Sequence, residues 1–179
     1  MAGMGIAWIH AGVNHIEERN SLGEYLGSIS TGENAFVLSF AQKFSDSFAF
    51  GLNAKIMTHS LPVYNEKLIG TAVGVDLGFL YKLNDFVHLG GVVQNLNAKY
   101  QWKTNVIFEE TGTIYYEDLP VIYRAGIKTR FVNFQVLCDV EFITNNSLLL
   151  GNRLNGGIEL SLIHISEPTR RYAISYAVF

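Results

Sequence analysis

The chain has 179 residues, of which 49% are hydrophobic and only 16% charged, and its formal net charge is −3 at pH 7. Soluble domains carry about 25% charged residues, so this composition is lean in charge, and the slightly negative balance excludes the basic surface that nucleic-acid binding requires. A single cysteine, Cys138, excludes an internal disulfide framework and a cysteine-based zinc site. We predict that it packs as a small hydrophobic side chain.

Membrane crossing by a helix is excluded, because no apolar run approaches the roughly 18 residues that a membrane-spanning helix requires. A membrane protein with this sequence must therefore cross the bilayer as a β-barrel. The segment Met1–Ile6 has no basic region and no cleavable signal. Because an exported barrel needs such a signal, we expect that the chain lacks its true N-terminus.

Alternating strands begin near the N-terminus. Gly5–Ile16 is predicted as a strand in which neither face is clearly polar, and Glu17–Glu33, rich in Ser, Gly, Asn and Glu, is predicted as an irregular rim loop. Asn34–Phe44 and Phe48–Ile56 alternate strongly and are joined by the polar turn Ser45–Ser47. Together these two strands predict a hairpin with one apolar face.

The clearest strand, Ile69–Lys82, follows a short predicted loop at Pro62–Lys67 and has a strict period of two. Its apolar set is Ile69, Thr71, Val73, Val75, Leu77, Phe79 and Tyr81, and its other set is Gly70, Ala72, Gly74, Asp76, Gly78 and Lys82. A glycine-rich face with one acid and one base is typical of the curved, partly filled inside of a barrel. The apolar face would then contact lipid.

The second half of the chain continues the pattern after the turn Leu83–Asp85. Phe86–Trp102 is predicted as one arm with a bulge or close approach near Gly90–Gly91 and the Gln-Asn-Leu that follows. Thr104–Leu119 is predicted as the longest loop. Three further strands are predicted at Val121–Phe131, Val132–Phe142 and Gly151–Leu162.

Charged residues of these strands fall on the face opposite the apolar one. If Val121–Phe131 and Val132–Phe142 pair antiparallel, a basic row lies beside an acidic patch, and such pairing is expected because an isolated ion in a lumen is costly. The predicted lumen-lining residues are Lys55, Asp76, Arg124, Lys128, Asp139, Glu141, Arg153 and Glu159. They could line a substrate path, or they could fill the lumen and hold the barrel's shape.

Strand length favours a membrane barrel. Arms of ten to fourteen residues match the about 9–11 residues that a tilted strand needs to cross a bilayer. Aromatic residues near strand ends are typical of the girdles of such barrels; they are Tyr81, Phe86, Tyr100, Trp102, Tyr123 and Phe142. The fold prediction is an all-β, antiparallel, up-and-down transmembrane β-barrel, partial, with about eight strands of a larger barrel. The same alternation permits a soluble eight-stranded ligand-binding barrel with its apolar face inside.

Motifs of catalysis and cofactor binding are absent from the sequence. The five histidines have no metal-ligand partners at a persuasive spacing, and there is no Gly-x-Ser-x-Gly elbow, P-loop or dinucleotide fingerprint. Asp85 near His88 is the nearest candidate pair, and a turn aspartate beside a packed histidine explains it better. We predict no enzymatic activity, no metal and no cofactor.

Four short motifs occur in a fixed order between Asn34 and Leu160. They are FAFGLNAK at 48–55, GVDLGFLY at 74–81, LGGVVQNL at 89–96, and DLP at 118–120 leading into RAG at 124–126. In these the chain resembles the PorV/PorQ family of bacterial outer-membrane proteins, which is similar to the FadL-type barrels. Members look like barrels of about fourteen strands, so the resemblance implies that this chain is a truncated fragment.

The resemblance implies a place in the bacterial outer membrane, in contact with its lipid, and two alternative roles. One is assistance to type IX protein secretion or surface delivery of cargo, with secreted cargo or secretion components as partners and the rim loops as the working surface. The other is FadL-like transport of hydrophobic small molecules, which predicts an apolar pocket and an N-terminal plug. Long loops would lie outside the cell and short turns in the periplasm.

The end of the chain departs from the strand pattern. Ser161–Phe179 resembles a translated adapter-derived tail, and Ser166–Arg171 places a proline and charges where a lipid-facing strand would continue. We therefore predict a barrel fragment over residues 1–162 and a non-native tail over residues 163–179.

Overall fold

The computed structural model describes residues 1–63, 66–106, 112–131, 134–145 and 148–160. Within these ranges the chain is almost entirely β-strand. The strands are β1 (Ala2–Arg19), β2 (Tyr25–Lys43), β3 (Phe48–Val63), β4 (Glu66–Lys82), β5 (Val87–Leu96), β6 (Lys99–Lys103), β7 (Ile114–Asp118), β8 (Val121–Arg130), β9 (Phe134–Asn145) and β10 (Leu148–Leu160). A single 3₁₀ turn, Thr104–Val106, follows β6.

The strands form one antiparallel sheet in the order β1-β2-β3-β4-β5-β8-β9-β10. Strand β6 follows β5 and pairs with β4 near the N-terminal end of β4, at Gly70 and Thr71. Strand β7 pairs with β6. The sheet is a half-barrel with β1 and β10 at its edges. The predicted all-β, antiparallel, partial barrel is confirmed, with ten strands in the described part where about eight were predicted.

Burial along β4 alternates with the predicted period of two. Ala72 and Asp76 are 2% and 3% exposed, whereas Val73 between them is 62% exposed. The cross-strand register carries the same division to neighbouring strands, because Lys55 of β3 lies opposite Gly74 and Ala54 lies opposite Val75. We call the face that contains Asp76 the inner face and the opposite one the outer face.

The outer face is apolar across the sheet. It includes the exposed side chains Ile6, Trp8, Phe36, Leu38, Phe40, Leu52, Ile56, Val73, Phe79, Tyr123, Ile127, Phe142, Leu154 and Ile158. The register settles the ambiguity of β1, since Ile6 and Trp8 lie opposite Leu38 and Phe36. Cys138 is exposed and lies opposite Ile127, on the outer face.

The arm predicted at Phe86–Trp102 is interrupted. The β4–β5 register shifts between Val75 and Leu77, so that extra backbone lies opposite Asp76. Asn95 and Asn97 adopt left-handed backbone conformations with φ of 61° and 53°, which asparagine tolerates better than most residues. The predicted bulge is therefore present in the Gln-Asn-Leu stretch, and it divides the arm into β5 and β6.

The predicted rim loop Glu17–Glu33 is wrong. Strand β1 continues to Arg19 and β2 begins at Tyr25, with a tight turn between them. Asn20 Oδ1 accepts hydrogen bonds from the backbone N–H groups of Leu22 and Glu24 at 3.0 and 2.9 Å, and Gly23 takes a left-handed φ of 82°. The polar composition of this segment misled the prediction. These strand ends lie beyond the apolar part of the outer face, where a strand needs no apolar side chains.

The predicted loop Thr104–Leu119 is also partly wrong, because it contains the 3₁₀ turn and β7. Thr104 N–H donates to the Thr113 carbonyl at 3.0 Å and closes this hairpin. The loop predicted at Pro62–Lys67 is largely strand, since β3 reaches Val63 and β4 begins at Glu66.

The last strands are shifted from their predicted bounds. Strand β9 runs to Asn145 and β10 begins at Leu148. The predicted non-native tail and part of the Thr104–Leu119 segment, residues 107–111, lie outside the described residues.

Candidate functional site

The inner face carries a buried polar network where β5 breaks off. Lys55 Nζ lies 2.7 Å from Asp76 Oδ1, which also accepts the Asn95 N–H at 3.0 Å. Asn53 donates to Asp76 Oδ2 at 3.3 Å, and Lys55 donates to Asn95 Oδ1 at 2.7 Å. Asn95 Nδ2 then donates to the Pro120 carbonyl at 3.1 Å. The network ties β3 and β4 to the bulge and to the start of β8.

A second set of inner charges joins β8, β9 and β10. Arg124 lies opposite Glu141, which lies opposite Arg153. The Arg124 guanidinium donates to Glu141 Oε2, with Nε at 2.9 Å, and Arg153 Nη1 lies 4.0 Å from Glu141 Oε1. Glu141 is only 4% exposed. The predicted cross-strand pairing of a base with an acid is present at Arg124 and Glu141, whereas Lys128 lies opposite Leu137 and Arg130 opposite Gln135.

The remaining predicted lumen residues lie on the same face. Asn155 donates to Asp139 Oδ1 at 2.8 Å, and Gln135 donates to Glu159. Lys128 lies opposite His88 on one side. All eight predicted side chains are thus on the inner face, spread over the wall, and a role for them in binding stays a prediction.

A feature that the sequence did not predict is an aromatic recess of about 330 Å³ on the inner face. It is lined by Glu33, His59, Leu61, Tyr100, Trp102, Glu117, Asp118, Leu119 and Pro120. The Tyr100 and Trp102 rings lie 5.5 Å apart, and the His59 ring meets them edge-on at 6.0 and 5.6 Å. We keep the name aromatic recess for this site.

Two carboxylates border the aromatic recess and are held by ring nitrogens. Trp102 Nε1–H donates to Glu117 Oε2 at 2.9 Å, and His59 Nδ1 lies 3.2 Å from Glu33 Oε1. The hydroxyl oxygen of Thr31 lies 3.4 Å from His59 Nε2. Neither Glu33 nor Glu117 has a lysine or arginine within ion-pair distance among the described residues.

Gly70 explains how Trp102 reaches this position. A Cβ built on Gly70 would lie 2.7 Å from the Trp102 ring, so only glycine lets the indole lie against β4 at this point. Tyr100 and Trp102 were predicted as girdle residues, and this is wrong for both: Trp102 lies opposite Gly70 in the β4–β6 register, so both side chains face inward. The sequence did contain a signal for their inward orientation. Tyr100 and Trp102 are two residues apart and therefore share a face, and β4 has a glycine-rich face that leaves room for large rings.

Known structures share this fold. The chain matches the crystal structure of the P. putida toluene transporter TodX with a TM-score of 0.52 and 12% sequence identity, over 93% of this chain and 56% of that chain. A TodX mutant described as a monoaromatic hydrocarbon channel matches with a TM-score of 0.48 and 13% identity, over 89% of this chain and 55% of that one. The likeness is one of fold. The chain spans about half the length of these structures.

Sequence comparisons add no family. No family model matches the chain, and no curated protein matches it either. The resemblance to FadL-type barrels thus agrees with the structural neighbours at the level of fold, whereas nothing in the comparisons bears on PorV/PorQ membership or on type IX secretion.

Metal and catalytic candidates do not come together in the described part of the chain. No group of three His, Cys, Asp or Glu residues is placed to hold a metal there. His10 Nδ1 lies 2.9 Å from Asn34 Oδ1, and Asp85 forms an ion pair with Lys82 at 2.6 Å. Among the same residues no helix is long and apolar enough to span a membrane.

Proposed function

We propose that the chain forms part of the wall of a bacterial outer-membrane channel that passes hydrophobic small molecules. The observation that carries this proposal is the division of one sheet into an exposed apolar outer face and a polar inner face. Lipid is the solvent that favours such an outer face, because the side chains that a membrane barrel turns toward lipid are apolar.

The outer apolar band has the height of a bilayer core. On β3 it runs from Phe48 to Ile56, about 27 Å along a strand at about 3.4 Å per residue. At a tilt of about 40° this corresponds to about 21 Å, close to the about 25 Å band of outer-membrane barrels. A polar row, Asn34, Thr58 and Thr71, crosses the outer face where the band ends.

A girdle-like contact lies at this boundary. Trp8 is exposed on the outer face, and its Nε1–H donates to Asn34 Oδ1 at 3.2 Å. An aromatic ring with its apolar body in the band and its N–H bonded at the polar row is the arrangement expected at a membrane interface. Strands β1–β4 continue past this row, and we infer that they extend out of the membrane.

Transport of hydrophobic molecules is favoured over the secretion role. The fold neighbour is described as a toluene transporter, and the inner face offers the aromatic recess as a place for a small ligand. PorV/PorQ membership, type IX secretion and cargo delivery stay predictions that rest on sequence resemblance alone. A soluble ligand-binding barrel would need the apolar face inside, whereas the face with Asp76 is the buried one.

Membrane insertion is tested first by an arginine scan of the outer face. Val73→Arg places a charge within the apolar band and is expected to cost about 2–4 kcal/mol of stability in lipid vesicles, whereas Thr71→Arg at the polar row costs about 0–1 kcal/mol. The measurement is equilibrium unfolding of the full chain from vesicles. Equal costs at the two positions would contradict the membrane assignment.

Transport is tested by expressing the chain in the outer membrane of a bacterial host that lacks its own hydrocarbon channel. We expect faster entry of labelled toluene than in cells of the same host that carry the empty vector. An entry rate equal to that of the empty host would contradict the proposed function, provided that the wild-type chain is present in the outer membrane fraction.

A further inference from the structure

We propose that the aromatic recess binds apolar molecules that carry a protonated amine, and that it disfavours carboxylates. This inference deepens the proposed function, on which it rests, by naming a substrate class. The recess, of about 330 Å³, lies within the roughly 300–1,000 Å³ range of small-ligand sites. Its walls combine aromatic rings with carboxylates, which is the pair of groups that attracts an organic cation.

The charge of the recess is negative. Glu33 and Glu117 border it, and both are held through ring nitrogens of His59 and Trp102 rather than by a lysine or arginine among the described residues. The third acidic residue, Asp118, has the Lys99 ammonium 2.9 Å away. With the His59 ring neutral, the two glutamates leave a net negative field, which favours a cation and repels a carboxylate.

The aromatic groups supply the rest of the recognition. Trp102 is only 5% exposed and Tyr100 is partly buried, so the rings are already fixed, and Tyr100 rather than Trp102 offers aromatic surface to an apolar ligand body. Tyr100 lies opposite Glu117 in the β6–β7 register, and its ring lies edge-on to His59, whose Nδ1 is 3.2 Å from Glu33. Aromatic rings beside carboxylates suit an ammonium group by combined ion-pair and cation–π attraction.

The location fits a first binding step. Glu33 and His59 are neighbours in the β2–β3 register, one residue beyond the polar row of the outer face. The recess therefore lies level with the rim of the apolar band. A ligand that enters from that side of the wall meets the recess before it meets the paired charges of Lys55 and Asp76.

The test uses three probes of matched size on the full chain in detergent micelles. They are 2-phenylethylammonium, 3-phenylpropanoate and neutral ethylbenzene. A Trp8→Phe background leaves Trp102 as the reporting tryptophan, because the chain has two tryptophans. We expect the cation to bind about tenfold more tightly than the anion at low salt, and the preference to shrink as ionic strength rises.

Charge variants show whether the recess carries the preference. Glu33→Gln and Glu117→Gln keep an acceptor for the ring nitrogen and are each expected to weaken the cation about threefold or more. Glu33→Lys is expected to invert the preference toward the anion. Glu18→Gln removes a carboxylate on β1 outside the recess and should leave the preference unchanged.

Each outcome decides the inference. A cation preference that Glu33→Lys inverts supports it. Equal affinity for the two charged probes, or a preference that survives both glutamine variants, overturns it. The neutral probe reports on the proposed function separately, because ethylbenzene binding with no charge preference would leave a hydrocarbon channel standing while refuting the amine class.

Discussion

The buried pair Lys55–Asp76 gives the sharpest test of what holds this wall together. The Asp76 carboxylate is 4% exposed and the Lys55 side chain 13%, and their charged atoms are 2.7 Å apart. Lys55→Met would leave the carboxylate buried with only the Asn95 N–H and the Asn53 amide as donors. Removing one partner of a buried ion pair costs about 3–5 kcal/mol, because the remaining charge is left without compensation.

The matched control is an exposed ion pair of similar length. Lys43 and Asp46 lie 2.6 Å apart, with side chains 50% and fully exposed. Lys43→Met is therefore expected to cost far less, because water screens an exposed ion pair. The assay is denaturant unfolding of the full chain from lipid vesicles, followed by tryptophan fluorescence. A Lys55→Met loss no larger than the Lys43→Met loss would refute the assigned role of burial.

A double change separates the buried charge from lost packing. Lys55→Met with Asp76→Asn removes both charges and keeps an amide oxygen that accepts the Asn95 N–H. We expect the double variant to recover most of the stability lost in Lys55→Met, because no unpaired charge stays buried. If the double variant is as unstable as the single one, the lost lysine contacts dominate and the electrostatic argument is wrong.

Two further predictions concern the recess and a turn. Gly70→Ala is expected to displace the Trp102 ring, with a red shift of its emission and a loss of about 1–3 kcal/mol, whereas Gly3→Ala, with open space at its Cβ, should change neither. The Lys43 ammonium lowers the pKa of the Asp46 carboxyl, first by a hydrogen bond and then by its charge. Lys43→Met should raise that pKa in a carbon NMR titration, and the wild-type stabilisation should be lost as pH falls through the folded-state pKa.

The strands inside the apolar band were predictable because one physical rule governs them. Where one face meets an apolar environment and the other a polar lumen, alternation in the sequence reports the fold directly, as from Val73 to Phe79. The predictions were wrong where both faces meet water. The segment Glu17–Glu33 can therefore contain Ser, Gly, Asn and Glu within strands, because only the backbone pairing of β1 with β2 is required there.

The aromatic recess could not be derived from strand patterns, because it depends on where β6 pairs. The chain turns at Asn95–Ala98, and β6 pairs with β4 past the end of β5, which places Trp102 against Gly70 and Tyr100 on the same inner face. The lumen charges were easier to predict, because each follows its own strand's period. Their pairing also followed, since antiparallel neighbours such as Arg124 and Glu141 are set opposite each other by the β8–β9 register.

The inner face thus holds its charges in two different ways, and the difference separates stability from binding. Lys55 and Asp76 neutralise each other in a buried network, whereas Glu33 and Glu117 are held by ring nitrogens and keep their charge toward the recess. Lys55→Met should therefore reduce stability without changing the preference for cationic over anionic probes. Glu33→Lys should invert that preference with little loss of stability, because Glu33 is half exposed. If Glu33→Lys instead reduced stability and left the probe preference unchanged, the aromatic recess would be part of the structural network rather than a binding site.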